Sequence, residues 1–228
     1  MLDMGNGISG ECSECEERRE TEKKLRDREA LVWREWMSGN PPYPEARLST
    51  LDTKGREVVL EAIRESFIGT RGVWMIGSSG IGKTHILCAI GNYWLSKGKM
   101  VSFREYSTFI SCYHRDWQLG AKWSEGDNDP PSLLRCTRGD VILLDDVTPT
   151  GRVMDLHAAG FRKLLDMISR EGKRLYVTGN HDDIQLASCF GGGEEGGRIV
   201  SRMNGLCAPV RFRGPDRRTE WLQKEQVK

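Results

Sequence analysis

An apolar run, Val73-Trp-Met-Ile76, passes directly into Gly77-Ser-Ser-Gly-Ile-Gly-Lys-Thr84 and then into His85-Ile-Leu-Cys-Ala-Ile90. No other stretch restricts the fold so tightly, because the order reads strand, glycine loop, helix. A phosphate chain is an extended anion, and holding it takes backbone N–H groups clear of side chains, backed by the positive end of a helix. Gly77, Gly80 and Gly82 permit the backbone to wrap in that way. In the G-x-x-x-x-G-K-S/T pattern the lysine, here Lys83, reaches the β- and γ-phosphates, and the hydroxyl of Thr84 is a ligand for Mg²⁺. The candidate nucleotide-binding residues of this segment are Gly77, Ser78, Ser79, Gly80, Ile81, Gly82, Lys83, Thr84 and His85.

A second anchor is Asp140-Val-Ile-Leu-Leu-Asp-Asp146. An unbroken apolar run bounded by acids predicts a parallel strand buried on both faces. Carboxylates at its end emerge at the carboxyl edge of the sheet, where α/β proteins bind ligands. Asp145 is expected to hold the Mg²⁺ shell and Asp146 to polarise an attacking water. Lys173-Arg-Leu-Tyr-Val-Thr-Gly-Asn180 predicts another strand tipped by an amide. Asn180 there either orients water or the γ-phosphate, or serves as a turn residue capping the next segment. Met100-Val-Ser-Phe103 and Ala208-Pro-Val-Arg-Phe-Arg213 supply two more strands.

Helices are predicted between these strands. Val59, Ile63 and Phe67, with Leu60 beside them, make a buried stripe over Arg56–Ile68; Ile86, Leu87, Ile90 and Trp94 make one after the glycine loop; Phe161, Leu164, Leu165 and Ile168 make a third. From Tyr106 to about Leu119, Phe109, Tyr113 and Trp117 share a stripe, with His114, Arg115, Lys122 and Trp123 off it. Two readings stay open: a core stripe, or an aromatic and basic cluster that stacks on single-stranded nucleic acid. A polar loop, Gly126–Pro131, follows. Gly191–Gly197 is expected to be a flexible loop. Arg198 and Arg202, four apart, share a helix face, and an arginine at a subunit edge can neutralise γ-phosphate charge on a neighbouring chain.

The amino-terminal segment differs in composition. Glu16–Glu35 mixes acids and bases with few apolar residues before Leu31-Val-Trp33 and Trp36-Met37, the pattern of a solvated helix with a sticky end. Leu25, Val32 and Trp36 fall near one face, and Gly39-Asn-Pro-Pro-Tyr-Pro44 stops the helix and acts as a linker. That end either docks on a partner or folds back on the core through Trp33 and Trp36. Cys12 and Cys15 have metal-ligand spacing, yet a zinc site takes four ligands and no second pair is nearby, so no metal is assigned to them. In all, 228 residues suit one α/β domain with a short appendage. The 34 basic residues against 33 acidic ones leave any nucleic-acid contact to a local patch. Seven scattered cysteines, with no apolar leader or membrane-length run, point to a reducing, cytoplasmic setting and no membrane partner.

In this order and spacing, GSSGIGKTH, VILLDDV, YVTGN and RIVSRM resemble the AAA+ helicase loaders of the DnaC and DnaI type and the related IstB transposition ATPases. The resemblance covers about Arg47 to Gly214. It implies an AAA+ P-loop NTPase of α/β class, with a five-stranded parallel sheet flanked by helices. It also implies ATP and Mg²⁺ as cofactors and self-association with nucleotide at the subunit junction. On it, Lys83 and Thr84 match the first nucleotide motif, Asp145 and Asp146 the second, Asn180 the first sensor and Arg202 the trans arginine finger, with Arg198 its neighbour at the nucleotide. The segments expected are an arm over 1–46 as a helicase-docking segment, an ATPase core over 47–214 and a tail over 215–228, too short for the helical lid and second sensor.

The leading expectation is an ATPase that places a DnaB-type ring helicase on single-stranded DNA during replication, with slow hydrolysis. The alternatives are an IstB-like transposition helper that coats duplex DNA, and a non-catalytic phage protein that binds the host helicase. A small-molecule kinase leaves Asn180 and Arg202 without a task.

Overall fold

Five short apolar runs form strands, and the segments between them return the chain so that all strands point the same way. The computed structural model describes residues 13–51, 57–118, 137–149 and 155–217. Its elements are α1 (Ser13–Ser38), a 3-10 turn (Leu48–Thr50), α2 (Glu57–Ile68), β1 (Gly72–Ile76), α3 (Lys83–Ser96), β2 (Val101–Glu105) and α4 (Tyr106–Gln118), then β3 (Val141–Asp145), α5 (Asp155–Arg170), β4 (Arg174–Gly179), α6 (Asp183–Cys189), α7 (Gly193–Leu206) and β5 (Cys207–Arg211). The strand order is β2-β3-β4-β1-β5 and every pairing is parallel. This is the expected five-stranded parallel sheet.

Alternate residues of the inner strands β1, β3 and β4 feed two separate cores, as the period of two requires. Val73, Met75, Phe103, Val141, Leu143 and Tyr176 pack against Val59, Leu60 and Ile63 of α2 and Ile86, Leu87, Ile90 and Trp94 of α3. Trp74, Ile76, Ile142, Leu144, Leu175 and Val177 face the other way, against α4, α5, α6 and α7. Helices on both faces explain why the strands read as continuous apolar runs.

The end of α1 belongs to the first of these cores. Val32 and Trp36 are buried, whereas Trp33 is 48% and Leu25 58% exposed, so the two tryptophans expected to act together have opposite fates. The Trp36 ring meets Phe103 of β2 edge-on at 6.0 Å. Beside it, Glu35 and Arg104 form an ion pair at 2.9 Å. The proline-rich linker is also held: the Asn92 amide of α3 donates to the carbonyls of Pro44 and Ala46, both at 2.8 Å.

One expectation is corrected. The glycines of Gly191–Gly197 do not make a flexible loop throughout, because α7 begins at Gly193. Gly191, Gly192 and Gly193 take left-handed φ values of 89°, 65° and 51° that turn the chain into the helix. At Gly196 a side chain would meet the Ala187 carbonyl at 2.2 Å, so a hydrogen there lets α6 and α7 approach. The helix α6 is additional to the expected elements. Its signal is a capping box, in which the Asp182 carboxylate accepts from the Gln185 amide and the Gln185 side chain accepts from the Asp182 amide, each at 3.0 Å. The cap is therefore Asp182 and not Asn180. Cys12, Lys122, Trp123, Gly126–Pro131 and residues 218–228 lie outside the described residues, as does the side chain of Cys15.

Candidate functional site

At the carboxyl edge of the sheet, β1, β4 and β3 lie side by side, and each of the three anchors read from the sequence ends there. Beyond β1 the ladder continues for one more bond, from the Gly77 amide to the Gly179 carbonyl at 3.1 Å. The loop then leaves the sheet. Ile81, almost fully buried, pins it to the core, and a side chain on Gly77 would meet Ile81 at 2.6 Å. Gly80 and Gly82 have φ of 77° and 95°, a region in which an L side chain is strained. Gly82 is the residue that caps α3.

Lys83, on the first turn of α3, is 8% exposed. Its ammonium donates to the Gly77 carbonyl at 2.8 Å, the Ser78 carbonyl at 2.9 Å and Oδ1 of Asn180 at 2.8 Å. The Asn180 amide nitrogen in turn donates to Ser79 Oγ at 3.2 Å. The tip of β4 is thus tied to the glycine loop by a side chain, which is more than a turn residue needs. Thr84 donates from Oγ1 to Asp145 Oδ1 at 3.0 Å, joining the loop to β3. His85 lies at the loop's far end, its ring 5.2 Å from that of Tyr43.

Asp145 is buried at 8% exposure, and burial pushes its carboxyl above the ordinary carboxylate range. Hydrogen bonds from Thr178 and Thr84 pull the other way, and the adjacent Asp146 charge adds to the upward push. Asp146 itself is exposed and holds φ at 52°. The residue that controls both acids, Thr178, is read in the sequence only as part of its strand, with no role at the site. Its hydroxyl donates to Asp145 Oδ1 at 2.5 Å and accepts the Asp146 amide at 2.8 Å. A buried hydroxyl near the end of an apolar strand was the available signal, since such a group demands a partner.

Three further residues complete the surroundings. Thr148 accepts the Asn180 amide proton on Oγ1 at 3.0 Å. After β5, the Arg217 amide donates to the Gly80 carbonyl at 3.1 Å, and the Asp216 carboxylate lies where a side chain on Gly80 would project.

Arg198 and Arg202 are not part of this cluster within one chain. Both are on α7, where Arg202 pairs with Asp166 of α5 and Arg198 with Glu194. Trp117, the last aromatic of the α4 stripe, is 62% exposed although Phe109 is buried, and Arg115 beside it is also exposed to solvent.

The donor set fits a phosphate chain with Mg²⁺. Hard oxygen donors from Thr84 and Asp145 sit together beside a lysine and a glycine loop at a helix amino terminus. Among the described residues no group of three or more His, Cys, Asp or Glu side chains could hold a metal alone. Proteins generally bind Mg²⁺ through one or two carboxylates together with substrate phosphates and waters, and not in an all-protein cage. No helix among the described residues is long and apolar enough to cross a membrane.

No protein-family model matches the chain. It is 28% identical over 103 residues to the chromosomal replication initiator protein DnaA of Campylobacter concisus, covering 44% of this chain and 22% of that protein. A DnaA of Campylobacter jejuni is 28% identical over 108 residues, 47% of this chain and 23% of that one. The match thus spans under a quarter of these relatives. Among solved structures, DnaI superposes with a TM-score of 0.61 at 24% identity, covering 77% of this chain and 92% of that one. The DnaC helicase loader gives 0.60 at 19% identity, with 75% and 99% covered. AMPPCP-bound DnaA from Aquifex aeolicus gives 0.60 at 19%, with 81% and 55% covered. The resemblance to the loaders therefore extends to three dimensions, and this chain has the AAA+ P-loop NTPase fold found in DnaI, DnaC and DnaA.

Proposed function

We propose that the chain is an ATP-dependent replicative-helicase loader, which binds ATP with Mg²⁺ and single-stranded DNA and places a DnaB-type ring helicase on that DNA. The observation that carries the reading is the single cluster in which Lys83 bonds Asn180 and Thr84 bonds Asp145, in a fold that matches DnaI over 92% of its length.

In this reading the backbone of Gly77–Thr84 cradles the phosphates, Lys83 turns its ammonium to the β- and γ-oxygens, and Thr84 and Asp145 hold Mg²⁺. The ion supplies charge neutralisation at the transferring phosphoryl group. Asp146, exposed and fixed by its backbone, takes a hydrogen bond from the attacking water. Asn180 orients that water or contacts the γ-phosphate. Arg202 of an adjoining subunit completes the charge, with Arg198 beside it. Trp117 and Arg115 offer an exposed ring and cation for a base and its phosphate.

The test uses the full-length chain with the DnaB-type helicase of its host. ATP should promote co-elution of the two, Lys83→Ala should abolish ATP binding by calorimetry, and Asp146→Asn should bind ATP without turning it over. Trp117→Ala should weaken single-stranded DNA binding by about fivefold or more, the loss of one stacked base. Failure to bind the helicase with ATP and single-stranded DNA present would sink the proposal. A strong preference for duplex DNA would replace it with the transposition-helper reading.

A further inference from the structure

The tip of β4 and the segment after β3 are stitched together by four hydrogen bonds. The Thr178 carbonyl accepts the Val147 amide at 2.8 Å, Thr148 Oγ1 accepts the Asn180 amide at 3.0 Å, and the Thr178 hydroxyl makes the other two, to Asp145 and from Asp146. Between Thr178 and Asn180 a side chain on Gly179 would meet the Val147 carbonyl at 2.7 Å, so the close approach needs glycine there.

The direction of the hydroxyl proton is set by chemistry. The Asp146 N–H can only donate, so Thr178 Oγ1 must accept it with a lone pair, and the hydroxyl's own proton is left for Asp145. That proton arrives at Oδ1, the same oxygen that takes the Thr84 hydroxyl proton. One buried hydroxyl, 1% exposed, thereby sets two things together: the rotation of the Asp145 carboxylate and the left-handed backbone of Asp146. Valine has the same shape but neither capacity, and serine has both.

We infer that Thr178 is a positioning residue of this site: its hydroxyl locks Asp145 and Asp146 into one unit beside Asn180, and so determines how well the site holds Mg²⁺ with nucleotide. The inference rests on the proposed binding of nucleotide at this site. The two backbone and Thr148 links do not use this hydroxyl, so its loss leaves β4 joined to the 145–148 segment.

The experiment compares AMPPCP binding by calorimetry with and without Mg²⁺ for the full chain and for Thr178→Val, Thr178→Ala and Thr178→Ser. Partners behind a metal ligand typically change metal affinity by about 10- to 100-fold. Thr178→Val should lose about tenfold of the Mg²⁺-dependent gain in affinity, while its metal-free affinity stays within about twofold of the parent. Thr178→Ser should restore the gain to within about threefold. A merely structural role would move both affinities together, and serine would not rescue. Should the valine variant fail to fold, the alanine variant, which leaves space for water, carries the same comparison. Parent-like Mg²⁺ dependence in the valine and alanine variants, or no rescue by serine, would overturn the inference. A parent chain that binds no AMPPCP at all would instead overturn the nucleotide reading.

Discussion

Asp146 occupies a backbone conformation that favours glycine, and replacing it separates the requirements of the fold from those of the chemistry. Its φ is 52° and its side chain is exposed, so truncation removes little packing. A β-carbon in left-handed geometry costs about 1–2 kcal/mol, which aspartate and asparagine partly recover through local hydrogen bonds and alanine does not. Glycine avoids that cost but widens the unfolded ensemble, a loss of about 0.4–1 kcal/mol. Asp146→Gly should therefore be more stable than Asp146→Ala by about 0.5–1 kcal/mol. For a chain of this size about 1 kcal/mol moves Tm by roughly 2–4 °C, so the two variants should melt about 1–4 °C apart, with Asp146→Asn near the parent. Calorimetric melting without nucleotide measures this directly. All three variants should lose ATP turnover, giving a glycine variant that is more stable than alanine and equally inactive. If alanine melts at or above glycine, the left-handed geometry and the role assigned to the Thr178 bond to this amide are both wrong.

Two other outcomes are expected from the packing and the electrostatics. Gly91 of α3 has no room for a methyl group, since a β-carbon would meet the Trp36 ring at 2.6 Å and Leu143 at 2.8 Å. Overpacking costs about 1–3 kcal/mol against about 1 kcal/mol gained in helix propensity, so Gly91→Ala should lower Tm in a melting experiment, and Trp36→Leu in the same chain should make the alanine better tolerated. Burial raises the carboxyl of Asp145, so its protonated form favours the fold; this contribution is full below the ordinary carboxylate pKa and is lost as pH rises through the raised value. Asp145→Asn should therefore melt higher than the parent at neutral pH, by a margin that shrinks on acidification, while losing its hold on Mg²⁺; a margin that grows on acidification would refute this sign.

The parts of the site visible in the sequence are those in which chemistry dictates residue type at fixed spacing. Gly77–Thr84 is one, since few sequences other than a phosphate loop place glycines and a lysine between a strand and a helix. Asp145 is another, announced by the apolar strand that carries it. Thr178 was hidden because its partner lies 33 residues away on another strand, a pairing that only the sheet order creates. Arg202 illustrates the same limit: residue type fits a finger for a neighbouring subunit, and Asp166, 36 residues off, holds it within its own chain. The two tryptophans of α1 differed in helical spacing, which put Trp36 and not Trp33 on the face of Val32, but the ring that receives Trp36, Phe103 of β2, was beyond the reach of local pattern. Glycine content misled at Gly193–Gly197, where close helix packing outweighs poor helix propensity.

The seat of Trp36 has a mechanical consequence. Its indole closes over Gly91 on the same helix whose first turn bears Lys83 and Thr84, and Asn92 clasps the backbone of the segment leading away from α1. The exposed, charged length of α1 is therefore a lever with its fulcrum inside the domain, and not a tether on a slack cord. A load applied to that helix would bear on α3, the rod behind the phosphate loop, and because Trp36 is seated before the proline segment begins, lengthening that segment would leave the lever arm unchanged.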